Sequence, residues 1–96
     1  MFYTVYRIVN KKNRHEYVGV HRTQNLMDDY MGSGVRIKAA IKDYGVHNFL
    51  KEYIAVFDNV HDMLALEREI VNEDYVRSRS TYNCQLGGRG YAFNFV

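Results

Sequence analysis

The sequence has little of several features that mark common protein classes. It has one cysteine, Cys84, in 96 residues, which excludes an internal disulfide and a zinc site built from several cysteines. Thirteen Lys and Arg against 11 Asp and Glu leave a net charge of only +2, so any positive surface for nucleic acid must come from local clustering. No apolar run approaches the length of a membrane span, and the N-terminus lacks the features of a signal peptide. We therefore expect a soluble, cytoplasmic protein without a membrane partner.

Aromatic residues are plentiful, but their choice is skewed. Hydrophobic residues make up 47% of the chain, which indicates a folded globule, and the length fits one domain over residues 1–96. There are nine tyrosines and no tryptophan. A tyrosine buries its ring but keeps a hydroxyl for hydrogen bonding or proton transfer.

Residues 1–21 predict a β-hairpin. Two segments rich in β-branched and aromatic residues flank a polar, turn-like stretch. With Lys11–Lys12 at the tip, Tyr6 lies directly opposite Tyr17. Alternation then puts both tyrosines and His21 on one face and leaves the other face aliphatic. This arrangement depends on the register of the hairpin.

The rest of the chain predicts two helices and one more strand. Apolar spacing indicates a helix at about Val35–Tyr44, with Ser33 as its N-cap and Gly45 as its stop. Phe49–Phe57 has strand composition. A second helix is predicted from Asn59, its N-cap, to about Arg77. The order ββαβα gives an α+β fold with a small three-stranded antiparallel sheet flanked by helices.

Glu67 is the acidic residue most in need of an explanation. It lies near the middle of the apolar stripe of the second helix, where a carboxylate is costly unless it is paired, hydrogen-bonded or bound to a metal. Two readings stay open on the residues alone. One is a salt bridge to Arg7, Arg14 or Arg68, and the other is a functional carboxylate.

Four segments in this order resemble the GIY-YIG nuclease domain, from about Phe2 to Gly88. Two triplets stand where the family has Gly-Ile-Tyr and Tyr-Ile-Gly, and two later segments resemble its glutamate helix and its closing Tyr-Asn. The segments are Thr4-Val5-Tyr6, Tyr17-Val18-Gly19, Leu66–Val71 and Tyr82-Asn83. The stretches Tyr17–Thr23 and Tyr30–Gly34 are similar to phage-type members related to free-standing homing endonucleases.

This resemblance implies a metal-dependent endonuclease that cuts the phosphodiesters of double-stranded DNA, in a phage-infected host cell if a phage encodes it. Glu67 would bind Mg²⁺, or Mn²⁺ in substitution, with waters completing the shell. Tyr6 or Tyr17 would activate the attacking water. Asn83 would orient a tyrosine or a metal-bound water. One active site cuts one strand at a time, so a dimer is one route to double-strand cleavage.

The loop after the second triplet departs from the family pattern. The family's arginine falls three residues after an apolar residue, which here is Leu26, and that place is taken by Asp29. Arg22 is the nearest substitute cation, and Arg36 is another if the loop folds back. His21 is expected on the Tyr17 face and would serve as a proton carrier or phosphate donor.

Basic side chains near this loop suggest where DNA would lie. Arg22, Arg36, Lys38 and Lys42 form a candidate DNA-facing patch, although a solvated helix face explains the lysines equally well. Gly87–Gly90 either lies along a phosphate backbone or forms a turn. Two other functions stay open: a catalytically impaired nuclease-like module that binds DNA or a protein partner, and a structural domain with no active site.

Overall fold

The computed structural model describes residues 1–88; Arg89 and Gly90, part of the predicted glycine-rich segment, lie outside the described residues. It has an α+β fold in which helices flank a three-stranded antiparallel sheet, and this confirms the predicted class. None of the helices within residues 1–88 has the length and hydropathy of a membrane span. The elements are β1 (Phe2–Asn10), β2 (Glu16–Thr23), α1 (Val35–Tyr44), a 3₁₀ turn (Val46–Asn48), β3 (Phe49–Phe57), α2 (Val60–Ile70) and α3 (Glu73–Arg77).

Strand β1 is the centre of the sheet, with β2 and β3 antiparallel on either side. In the β1–β2 hairpin Tyr6 pairs with Gly19, and Tyr17 pairs with Ile8. The predicted pairing of Tyr6 with Tyr17 is therefore wrong by two residues. Because the shift is even, every side chain still points to the predicted face.

The hairpin loop explains the shift. Four residues, 11–14, form the connection, because the Asn10 N–H donates to the His15 carbonyl and the Arg14 N–H donates to the Asn10 carbonyl. Arg14 adopts a left-handed conformation with φ 66°. The side-chain oxygens of Asn10 and Asn13 accept hydrogen bonds from the backbone two residues on, which is the turn chemistry typical of asparagine.

The two faces of the sheet bury different clusters. The aliphatic face, with Val5 and Val18, packs against Met63 of α2. The tyrosine-bearing face packs Tyr6 against Ile37 of α1. The sheet thus has a helix on each face, and β2 is one of its two outer strands.

Two predicted helix ends differ from the structure. Helix α1 has its predicted bounds and ends at Gly45, which has φ 89°, but its N-cap is Gly34 rather than Ser33. The predicted long helix is broken after Ile70: Val71 leaves the helical conformation, and Asn72 caps α3 by accepting the Tyr75 N–H. Asparagine competes for backbone hydrogen bonds inside a helix and favours a cap, which explains the break.

Candidate active site

An open cavity of about 480 Å³ lies along the outer edge of β2, on the side away from β1. The chain after α3 returns beside this edge, because the Glu16 N–H donates to the Ser80 carbonyl and the Tyr82 N–H donates to the Glu16 carbonyl. The cavity lies between this segment, the loop before α1, and α2. The predicted site residues among its lining are Tyr17, His21, Glu67 and Asn83.

The side chain of Asn83 hydrogen-bonds to the edge of β2 as the backbone of a neighbouring strand would. Its side-chain oxygen accepts the Val18 N–H at 2.9 Å, and its amide nitrogen donates to the Val18 carbonyl at 2.7 Å. The Thr81 hydroxyl donates to the same Asn83 oxygen at 3.0 Å. The side-chain contacts of Asn83 are therefore with the strand backbone and a threonine, and they fasten the cavity wall to the sheet.

Replacement of Asn83 by alanine is expected to lower the free energy of unfolding by about 2–3 kcal/mol, because both buried backbone groups of Val18 lose their partners. The midpoint of urea unfolding measures this effect. The matched control is Gln24→Ala, which removes an amide from an exposed position. Equal midpoints for the two variants would contradict the strand-like role of Asn83.

Three tyrosine rings form one wall of the site. The centroid of the Tyr6 ring lies 6.2 Å from that of Tyr17 and 6.0 Å from that of Tyr30. Gly19 makes this approach possible, since a Cβ there would lie 2.5 Å from the Tyr6 hydroxyl and 2.8 Å from the Tyr17 ring. Tyr6 itself is only 1% exposed.

Burial makes these phenols harder to ionise than a free tyrosine. It raises the pKa of Tyr17 to about 12 and raises that of Tyr6 further, with the neighbouring tyrosines adding to the effect on Tyr6. A protonated phenol donates hydrogen bonds but does not accept a proton from water. Tyr17, which lines the cavity, is therefore suited to donate a hydrogen bond to a phosphate or a water, whereas Tyr6 is buried and lies outside the described lining.

Glu67 lies partly buried at the cavity, and no cation among residues 1–88 pairs with it. Within residues 1–88 no ion pair joins it to Arg7, Arg14 or Arg68, and Arg7 instead pairs with Glu16 and Glu52. Burial raises the pKa of the Glu67 carboxyl, while a hydrogen bond from the backbone opposes the rise. The salt-bridge reading of Glu67 is therefore wrong for the described part of the chain.

The backbone donor to Glu67 comes from a glycine turn. The Gly88 N–H donates to Glu67 Oε1 at 2.7 Å, and the Gly87 N–H donates to the Val71 carbonyl, just past the end of α2. A Cβ on Gly87 would lie 2.4 Å from the Glu67 carbonyl oxygen. Gly88 has φ 78°, which favours glycine. These two glycines form a turn that packs against Glu67 and donates a hydrogen bond to its carboxylate.

His21 also lines the cavity, and it belongs to a second cluster of contacting side chains. Its ring stacks on Tyr30, with the centroids 3.8 Å apart and the planes 7° from parallel. Its Nε2 lies 3.1 Å from a carboxylate oxygen of Asp28. Behind this pair, the Lys51 ammonium lies 5.2 Å from the Tyr6 ring centroid and donates to the Tyr30 carbonyl.

The predicted cations lie outside the cavity lining. Arg22 is exposed on β2, and alternation turns it to the face opposite His21. Arg36 and Lys38 are exposed on α1, whose first residue, Val35, lines the cavity. Among the described lining residues, His21 is the one side chain able to carry a positive charge.

Three contributors to the site were missed by sequence reasoning. Asp28 contacts His21, Lys51 lies behind the tyrosines, and Gly88 binds Glu67. Each comes from a different part of the chain, so no local spacing indicates it. The only signal was indirect: an acidic pair follows Leu26 where the family resemblance led us to expect an arginine.

The donor set of the cavity suits a hard cation that keeps most of its waters. Glu67 is the one carboxylate among the described lining residues, and its Oε2 makes no hydrogen bond within residues 1–88. No three His, Cys, Asp or Glu side chains in that range cluster as metal ligands. Magnesium binds through one or two carboxylates, waters and substrate phosphate, whereas structural zinc needs four protein ligands. The residues present therefore fit Mg²⁺ or Mn²⁺.

The sequence of this chain is similar to part of the sequence of several phage proteins. It is 52% identical to "Putative endonuclease segC" of Enterobacteria phage T4, over 93% of this chain and 45% of that protein. It is 48% identical to "Putative endonuclease segB" of the same phage, over 94% of this chain and 41% of the relative. "Endonuclease segA" is 39% identical over 88% of this chain and 38% of its own length.

No family model and no solved structure matches the chain. The chain spans less than half the length of these curated relatives. It is thus similar, over nearly all of its own length, to part of phage proteins that are named as endonucleases.

Proposed function

We propose that this chain is a DNA endonuclease domain of GIY-YIG type that hydrolyses phosphodiester bonds with one divalent ion, Mg²⁺ or Mn²⁺, at Glu67. The single observation that carries the proposal is the cavity on β2, which brings Tyr17 and His21 of that strand together with Glu67 of α2. The names of the phage relatives support the same reaction class. The proposed place of action is the cytoplasm of a phage-infected cell.

The residues that line the cavity would each take a different role in the reaction. Glu67 would hold the cation, which when bound neutralises the charge that develops on the phosphate. Tyr17 would donate a hydrogen bond toward a phosphate oxygen, and Tyr6, buried outside the described lining, would support the Tyr17 ring by packing beside it. His21 would accept one proton from water, because imidazole is the side chain suited to proton exchange near neutral pH.

The reaction balances with these groups. The water oxygen bonds to phosphorus, its proton passes to the His21 imidazole, and the ester bond to the leaving sugar oxygen breaks. That oxygen takes up a proton from solvent. Once it is protonated, His21 adds positive charge beside the phosphate. It thus supplies the charge that the family resemblance assigns to an arginine.

The test is cleavage of supercoiled plasmid. The intact chain should give nicked or linear DNA in Mg²⁺, and excess EDTA should stop the reaction. Glu67→Gln purified in the same way controls for contaminating nuclease. Failure of the folded chain to cut with either Mg²⁺ or Mn²⁺ would overturn the proposal.

A second candidate, a module that binds DNA without cutting it, is favoured by one observation: no arginine or lysine is among the described residues that line the cavity. In that case DNA would contact Arg22, Arg36 and Lys38, and affinity would fall steeply with salt. Salt-dependent binding without cleavage would select this candidate.

A further inference from the structure

The loop between β2 and α1 folds back and places a carboxylate against His21. Asp28 Oδ2 lies 3.1 Å from His21 Nε2 and accepts a hydrogen bond from the Thr23 hydroxyl at 2.7 Å. Asp28 Oδ1 accepts the Tyr30 N–H at 3.3 Å and lies 3.7 Å from the Lys51 ammonium. Both oxygens of this carboxylate are therefore committed to neighbours that hold it in one orientation.

These contacts keep Asp28 ionised. The hydrogen bond from Thr23 lowers the pKa of the carboxyl most, and the Tyr30 backbone and His21 lower it further. An ionised carboxylate accepts hydrogen bonds and donates none. The hydrogen of a neutral His21 ring is therefore fixed on Nε2, and Nδ1 is left with its lone pair.

The ring is also held against rotation. Tyr30 stacks on it with nearly parallel planes. Lys51, whose side chain is 13% exposed, donates to the Tyr30 carbonyl at 2.7 Å and so anchors the same loop to β3. The Tyr53 hydroxyl donates to the Leu26 carbonyl and adds a second anchor.

We propose that Asp28 is a positioning residue that holds the His21 imidazole in one tautomer and orientation, with Nδ1 as the atom that accepts the proton of the attacking water. This inference rests on the proposed function, in which His21 exchanges protons with water at the scissile phosphate. Asp28 itself does not line the cavity, and it acts through the ring.

The test is a double-mutant cycle on single-turnover cleavage. Asp28→Asn should lower the rate about tenfold or more, as loss of a carboxylate that orients a functional histidine does elsewhere. Asp29→Asn is the matched control, because it removes the same charge from the next, exposed residue; its rate should stay within about twofold of the parent. In a His21→Ala background, Asp28→Asn should cause no further loss.

A second measurement does not depend on cleavage. With the imidazole neutral, ¹⁵N shifts of the His21 ring should show a protonated Nε2 and an unprotonated Nδ1 in the parent and in Asp29→Asn. In Asp28→Asn the two nitrogens should move toward averaged values, because the anionic acceptor is gone. A merely structural aspartate would leave this signature unchanged.

Three outcomes would overturn the inference. These are an Asp28→Asn rate equal to that of Asp29→Asn, a further loss in the His21→Ala background, or unchanged ring shifts in Asp28→Asn. Absence of cleavage by the parent chain would instead defeat the proposed function. The ring shifts would then still decide whether Asp28 sets the tautomer of His21.

Discussion

Replacement of Glu67 by glutamine is expected to abolish cleavage and, at the same time, to stabilise the fold. The carboxylate is partly buried and pairs with no cation among residues 1–88, and burial raises its pKa, so its charge costs free energy at neutral pH. Glutamine keeps an oxygen for the Gly88 N–H but carries no charge to hold a divalent ion. We expect the rate to fall by about a thousandfold or more, a loss of about 4 kcal/mol of transition-state stabilisation.

The expected gain in stability is about 1 kcal/mol at pH 7, which is a rise in Tm of about 4–8 °C for a domain of this size. The pH dependence gives the sign. Because the folded pKa of Glu67 is raised, its favourable contribution is present below the unfolded pKa and is lost as pH rises through the folded pKa. The advantage of Glu67→Gln should therefore shrink as the pH is lowered.

Glu69→Gln is the matched control, since it neutralises an exposed carboxylate on the same helix. It should change neither Tm nor cleavage. Thermal unfolding in EDTA measures the stability of each variant, and added Mg²⁺ should raise the Tm of the parent but not that of Glu67→Gln. A fall in Tm for Glu67→Gln in EDTA would contradict the assignment of an unpaired, costly carboxylate.

Replacement of Gly87 by alanine is expected to have the second-largest effect on cleavage. The new Cβ would lie 2.4 Å from the Glu67 carbonyl oxygen and 2.9 Å from its Cγ, and the first of these is backbone that cannot turn aside. The turn must lift away from α2, so the Gly88 N–H leaves Glu67 Oε1. We expect a loss of about 1–3 kcal/mol in stability and about a hundredfold in rate.

The effect should be partly recovered at high Mg²⁺, because a poorly held carboxylate binds the ion weakly but still carries its charge. Titration of the cleavage rate with Mg²⁺ at a temperature where the variant stays folded measures this shift. Gln24→Ala, an exposed change outside the described cavity lining, is the control and should follow the parent curve. A parent-like Mg²⁺ dependence in Gly87→Ala would show that the turn does not orient Glu67.

Local patterns in the sequence correctly predicted most elements of the fold. Strand β3 and helix α1 have their predicted bounds, because apolar periodicity and the stop at Gly45 are local signals. The break at Asn72 was missed because the apolar stripe continues across it, and a cap competes with that stripe over a single residue. The register of the hairpin was missed by two residues, because the loop at 11–14 needs a left-handed Arg14 that no local rule required.

For the site, the sequence pattern predicted on which face of the hairpin the tyrosines lie together, and which carboxylate would be buried at a cost in free energy. Alternation placed Tyr6, Tyr17 and His21 on one face, and helical spacing placed Glu67 on a buried stripe. These are consequences of periods of 2.0 and 3.6 residues, so they follow from sequence alone. Their chemical roles remain predictions that the experiments above decide.

Tertiary structure alone decided which groups surround those residues. The contact of Asp28 with His21, the Gly88 donor at Glu67 and the pairing of Asn83 with Val18 join segments that no local period relates. It also decided that the pKa values of Tyr6 and Tyr17 are raised, because desolvation depends on everything packed around them. The sequence by itself thus determined the strands, the helices and the faces on which reactive side chains lie, whereas loop closure and burial determined their partners and their charge.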